Sequence, residues 1–147
     1  MIPLHSDFKA FFQSLNNQQV NYLLVGGYAV GHHGYPRATG DLDVWVEMSP
    51  LNADRLVAAL REFGFSPPEA RPALFLVPGN IIRMGVVPLR IEILTTISGL
   101  DFKLCAPNRL LADIDGIVIP VIGLADLKVN KRAAGRLKDL ADLEHLP

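Results

Sequence analysis

Two aspartates head an apolar run in Asp41-Leu42-Asp43-Val44-Trp45-Val46-Glu47, and this stretch constrains the fold more than any other. Its alternation puts Leu42, Val44 and Val46 on one face of a strand and Asp41, Asp43, Trp45 and Glu47 on the other. A single Asp-x-Asp on a strand is most often only a solvated face. Aspartate is depleted in strands, however, so two on one face require a reason. A hard cation supplies one, because carboxylates at i and i+2 can grip the same ion. Upstream, the apolar run Tyr22–Val25 reads as a buried strand and ends in Gly26-Gly27. Paired glycines let the backbone turn sharply and approach a ligand closely. A short helix expected over Gly27–Gly34, closed before Pro36, could offer free N–H groups to an anion. Strand, glycine turn, helix and acid-bearing strand form a layout suited to holding a phosphate and a divalent metal together.

The flanking pattern fills in the architecture. Phe8, Phe11, Phe12 and Leu15 recur at helical spacing after Ser6, which predicts a first helix capped by Ser6 and ended by Asn16-Asn17. Ser49-Pro50 is a helix start, Leu56, Ala59, Leu60 and Phe63 its buried stripe, and Gly64 its stop. Leu74–Val77 and Ile81–Val87, separated by Pro78-Gly79-Asn80, predict a hairpin broken by Pro88. Further strands are expected at Arg90–Leu94 and Ile117–Val121. Gly123–Leu146 predicts two helices divided near Gly135–Lys138. The alternation of helices and strands indicates an α/β or α+β domain with a mixed β-sheet flanked by helices. One domain over residues 1–147 is expected, with the C-terminal helices of 123–146 packed on it.

Composition removes several classes of function. Half of the residues are hydrophobic and a fifth are charged, so the chain is globular rather than disordered. The net charge of −1 predicts no bulk attraction to DNA or to an anionic membrane, so any anion site must be local. One cysteine, Cys105, rules out an internal disulfide and a cysteine-built zinc site, and it reads as a small buried hydrophobe. The N-terminus does not read as a signal peptide. The single cysteine fits a reduced, cytoplasmic location, which is expected, and no apolar run reaches the roughly 18 residues of a membrane span.

A third carboxylate, Glu92, lies in Arg90-Ile91-Glu92-Ile93-Leu94 and faces away from the two isoleucines. The plain alternative is an edge-strand acid paired with Arg90. A neighbouring strand could instead bring Glu92 beside Asp41 and Asp43. Three carboxylates without protein nitrogen ligands favour Mg²⁺ or Mn²⁺ over zinc.

In this order the residues resemble the nucleotidyltransferase superfamily, with its DNA polymerase β-type fold. The branch resembled is the small, stand-alone bacterial kind, including minimal nucleotidyltransferases and abortive-infection or toxin–antitoxin relatives. Arg37-Ala38-Thr39-Gly40-Asp41-Leu42-Asp43 resembles that group's Arg-x-Thr-x-Asp-Leu-Asp signature, and 130–143 resembles its basic C-terminal helix with a Lys-Asp-Leu-x-Asp-Leu ending. The resemblance spans about Tyr22 to Leu143. It implies transfer of a nucleoside monophosphate from an NTP to a hydroxyl of a protein, a tRNA or a small molecule. Asp41, Asp43 and Glu92 would be the metal-holding and catalytic acids, and Gly26, Gly27, Arg37, Thr39, Lys131 and Lys138 the nucleotide-binding set. One departure is clear: the family's common glycine–serine pair is Gly26-Gly27 here, which removes a hydroxyl contact to phosphate but leaves the backbone N–H. A non-catalytic binding module or antitoxin-like partner on the same fold is the alternative, and a metal-dependent phosphohydrolase is a third.

Continued as one helix, the C-terminal segment gathers Lys128, Lys131, Arg132, Arg136 and Lys138 on about half the circumference. Either this face is simply solvated, or Lys131 or Lys138 serves as a counter-charge to the triphosphate. Gly135 within it costs roughly 1 kcal/mol relative to alanine and predicts a kink. His32 and His33 point about 100° apart on a helix and do not suit one ion, so they read as structural, with His33 at the pocket's edge. Tyr35 and Trp45 read as core or rim.

Overall fold

The computed structural model describes residues 4–85 and 89–147. Strands β1 (Tyr22–Val25), β2 (Asp41–Val46), β3 (Ile81–Met84), β4 (Arg90–Leu94), β5 (Leu110–Ile114) and β6 (Ile117–Val121) form a single sheet in the order β3-β4-β2-β1-β6-β5. The sheet is mixed: β1/β2, β3/β4 and β5/β6 are antiparallel, while β2/β4 and β1/β6 are parallel. Helices α1 (Ser6–Asn17), α2 (Gly26–His32), α3 (Pro50–Phe63), α4 (Phe102–Cys105), α5 (Leu124–Ala134) and α6 (Leu137–His145) complete an α+β architecture.

Helices α1 and α3 pack together in the core that receives Leu42, Val44 and Val46 of β2. Phe8, Phe11, Phe12, Leu15, Leu56 and Leu60 are essentially without exposure there. Each such side chain contributes roughly 1.5–3 kcal/mol of transfer free energy relative to water. Helix α3 begins and ends as its residues dictate. The Ser49 hydroxyl accepts the Asn52 N–H at 3.2 Å, Pro50 occupies the first turn, and Gly64 closes the helix at φ 100°. Buried Asn52 then ties α3 to both strand ends: it accepts the Asn21 N–H and donates to the carbonyls of Asn21 and Glu47. That anchoring sets the register of β1 against β2, and with it the direction in which Asp41 and Asp43 point.

Several boundaries depart from the sequence-based expectation. His5, not Ser6, caps α1, with its Nδ1 accepting the Asp7 N–H at 3.1 Å. Leu74–Val77 is not a strand: Pro72–Leu76 is a 3₁₀ turn begun by a proline whose φ suits a helical start. The hairpin partner of β3 is therefore β4, with Ile81 opposite Leu94 and Met84 opposite Ile91. Val86, Val87 and the Pro88 break lie outside the described residues. Strand β5 was not expected. It pairs with β6 across Asp115-Gly116, both at positive φ (52° and 83°), which is the conformation of a tight two-residue hairpin turn. The C-terminal segment divides at Gly135, which sits at φ 65° and ends α5. Among the described residues no helix is long and apolar enough to cross a membrane.

Candidate functional site

The site is assembled by strand register. In the parallel β2/β4 pair, Asp41 lies opposite Arg90 and Asp43 opposite Glu92. In β3/β4, Arg83 lies opposite Glu92. In β1/β2, Val25, the last residue before the glycine turn, lies opposite Asp43. Three strands therefore deliver Asp43, Glu92 and the turn at Gly26 to one place. A cavity of about 500 Å³ opens there, lined among others by Gly26, Asp43, Leu94, Thr96, Asn130 and Arg136.

Gly26 is required by two features at once. Its φ is 69°, and a Cβ placed on it would run into the Asp43 carboxylate. The backbone thus comes as near to Asp43 as an unsubstituted Cα permits. Gly27 serves a different neighbour, since a Cβ there would stand 2.9 Å from the Thr39 hydroxyl. Gly27, Arg37 and Thr39 line a separate cavity of about 270 Å³. Arg37 is held bidentately by Asp142 at 2.8 and 2.9 Å, and the Thr39 hydroxyl bonds the Asp41 carbonyl at 3.3 Å. Of the expected nucleotide-binding set, then, only Gly26 lines the main cleft.

The three acids share a sheet face but not a common environment. Asp41 is bridged by Arg90, whose Nε and Nη2 each lie 3.0 Å from its oxygens. Glu92 accepts from Arg83 Nε at 3.0 Å and faces Arg90 Nε at 3.5 Å. Among the described residues no cation forms an ion pair with Asp43. Its Oδ1 is buried without a hydrogen-bond partner. Burial first, then the charge and hydrogen bond of Glu92, then the charge of Asp41, push its carboxyl from the usual 3.8 up to about 7, while Lys138 pulls the other way. An orphaned carboxylate oxygen beside a second carboxylate, under a glycine turn that leaves no room for a side chain, fits a bound cation. Asp43 and Glu92 would hold it, and Asp41 could join only by releasing Arg90. Among the described residues, no group of three His, Cys, Asp or Glu side chains already stands at metal-binding spacing.

The C-terminal helices build a second charge cluster. Lys131 on α5 is buried, with its ammonium 3.2 Å from Asp139 and 3.0 Å from Asp142 on α6. It does not line the cleft. Asp139 also accepts the Arg136 backbone N–H at 3.1 Å, its Nε at 2.7 Å and its Nη2 at 3.3 Å. Burial works against ionisation of Asp139 and Asp142. The hydrogen bonds from Arg136 and Lys131 to Asp139, and from Arg37 and Lys131 to Asp142, outweigh it and hold both carboxyls below their usual range. Lys138 is exposed on the first turn of α6. Arg136, which the sequence reading placed only on a basic face, lines the cleft with Gly26 and Asp43.

Other conspicuous residues are structural. His33 Nε2 sits 2.6 Å from the Ile122 carbonyl. Tyr35 stacks on His145 with centroids 4.2 Å apart. Trp45 is buried edge-on to Phe102. Burial, then the charge and hydrogen bond of Asp126, push the Cys105 thiol up to about 11, which makes it a poor nucleophile.

The chain matches no family model and no curated protein. Among solved structures, the chain is similar to one from Thermotoga maritima, a protein whose own nucleotidyltransferase assignment is provisional. The TM-score is 0.61 at 17% identity, over 93% of this chain and 88% of that one. At that identity the likeness speaks for fold alone. The fold shared with that protein is the mixed sheet with α2 following β1.

Proposed function

We propose that the cleft is a nucleotidyl-transfer site, moving a nucleoside monophosphate from an NTP to a hydroxyl. The observation that carries this reading is Asp43: a carboxylate with one orphaned oxygen, in register with Glu92, at the floor of a cavity bordered by the Gly26 turn. A structural acid would be paired. This one is left in need of positive charge.

The chain's own contribution is positioning and charge placement. Gly26 lets the phosphate chain approach the β2 carboxylates. Asp43 and Glu92 would hold Mg²⁺ or Mn²⁺, which when bound neutralises phosphate charge and orients the acceptor oxygen. The acceptor oxygen bonds to the α-phosphorus as the bond from that phosphorus to the α–β bridging oxygen breaks, and pyrophosphate leaves. The Glu92 carboxylate is the group suited to receive the acceptor's proton. Leu94, Thr96, Ile97 and Ser98 line the same cavity and would exclude water from the nucleoside. The acceptor classes are protein, tRNA and small alcohols. The test is label transfer from α-³²P-NTP, with each of the four NTPs and Mg²⁺ or Mn²⁺, across those classes. Wild type should transfer label and Asp43→Asn should not, because the amide keeps the shape but removes the charge.

One observation favours a second reading, a non-catalytic or antitoxin-like binding module. Arg90 and Arg83 already neutralise Asp41 and Glu92 from within the sheet. On that reading neither protein transfers label and neither binds NTP.

A further inference from the structure

The cluster formed by Arg37, Lys131, Arg136, Asp139 and Asp142 contains three cations and two anions, so it carries one surplus positive charge. Where that surplus surfaces is decided by burial. The Lys131 side chain is 4% exposed and Arg37 27%, whereas Arg136 is 62% exposed and lines the cleft. Its Nε and Nη2 bond Asp139, and among the described residues no acceptor engages Nη1. Guanidinium carries five N–H donors in a rigid fork, so Nη1 keeps two donors uncommitted on a residue that lines the cavity. The other cations nearby are engaged: Arg90 and Arg83 with Asp41 and Glu92, and Arg37 and Lys131 with Asp142 and Asp139. Lys138 has no ion-pair partner among the described residues, but it does not line the cavity.

Resting on the nucleotidyl-transfer reading, we infer that Arg136 is the residue that grips the phosphate chain beyond the α-phosphate, that Asp139 aims it, and that Lys131 is a buried positioning charge. Lys131 shares the Asp139 Oδ1 with Arg136 Nη2 and supplies a second positive charge to that carboxylate, so Asp139 can fix the guanidinium without cancelling the net charge presented to the cleft. A lysine at 136 would keep the charge but lose the fork: it could not hold Asp139 through two nitrogens and still present donors to phosphate.

The experiment is calorimetry of a non-hydrolysable NTP and of the corresponding NMP, in Mg²⁺, on wild type, Arg136→Ala, Arg136→Lys, Asp139→Asn and the double variant. Arg109→Ala serves as control, since it is exposed and does not line this cleft. Losing one charge-assisted contact should weaken NTP binding about ten- to a hundred-fold in Arg136→Ala, with NMP affinity unchanged. Arg136→Lys should recover part of the loss. Asp139→Asn should weaken NTP more than NMP and add nothing to Arg136→Ala, whereas a merely structural Asp139 would weaken both ligands alike and additively. Arg136→Ala is exposed and should fold, so the inference stays testable even if Asp139→Asn does not. If wild type prefers NTP to NMP and Arg136→Ala keeps that preference, the inference falls while the transfer reading stands. If wild type binds neither ligand, both fall.

Discussion

Two clusters of like composition meet opposite fates in this molecule. At the junction of α5, α6 and the segment before β2, every carboxylate is matched: Asp139 and Asp142 are buried, yet both are held ionised by Arg37, Lys131 and Arg136. In the cleft, Asp41 and Glu92 are matched by arginines, and Asp43 between them is not. The first arrangement is what a fold requires of buried charge. The second costs stability, because burial and the neighbouring Glu92 both oppose a charge on Asp43. The difference in pairing, not in residue type, separates a structural cluster from a candidate site.

The sharpest way to break the comparison is Lys131→Met. It leaves two buried carboxylates short of a cation and should cost about 3–5 kcal/mol in chemical denaturation. A loss near zero would mean the α5–α6 cluster is not the tightly coupled network described.

Asp43→Asn should do the reverse. The folded protein keeps its proton up to about pH 7, whereas an unfolded chain releases it near 3.8. Between those values the native state binds more protons, so stability falls as pH rises through that window and levels off above it. The amide removes this decline. It should raise stability above pH 7 by up to about 4 kcal/mol, with little gain at pH 4. Asp139 and Asp142, whose carboxyls are held low, have the opposite sign: their stabilisation is complete above the usual carboxylate range and disappears as pH falls below it. Thermal melts of both proteins across pH 4–8 would separate the two slopes, and parallel curves for wild type and Asp43→Asn would contradict the assignment.

Gly26→Ala should come next. Its positive φ alone costs an L-residue roughly 1–2 kcal/mol, and the added methyl meets the Asp43 carboxylate. Melting temperature should fall modestly, while Mg²⁺–NTP affinity falls more steeply. Gly27→Val tests a different contact, because its side chain meets Thr39, and its loss should appear in stability before binding. Smallest is Arg83→Ala. Its pair with Glu92 is more than half exposed on the arginine side, and such pairs are worth less than about 1 kcal/mol. A larger loss would place Arg83 in the supporting structure of the site.

Most of the sheet was legible because β1, β2, β4 and β6 carry clear apolar runs or alternation, and Asp41 and Asp43 stood out because strands seldom carry paired aspartates. Strand β5 was not legible. Leu-Leu-Ala-Asp-Ile has no clean alternation, and only the Asp115-Gly116 pair marks the hairpin. The apolar run Leu74–Val77 reads as a strand although Pro72–Leu76 forms a 3₁₀ turn, because a short apolar run does not declare its period. The C-terminal charges were the largest gap. A single helical wheel carried through Gly135 places Lys131 and Arg136 on one solvated face. Gly135 instead turns left-handed and folds α6 back, so that Asp139 and Asp142 bury Lys131 and leave Arg136 at the cleft. No local pattern encodes that pairing, which depends on how two helices meet.

The central claim is that Asp43 awaits a cation together with a nucleotide. A crystal soaked with Mn²⁺ and a non-hydrolysable NTP, with data collected at the manganese edge, tests it directly. The account predicts an anomalous peak within ligand distance of Asp43 and Glu92, with the phosphate chain passing Gly26. No peak there in a crystal that has taken up both, or a peak elsewhere with Asp43 Oδ1 still unpartnered, would contradict it.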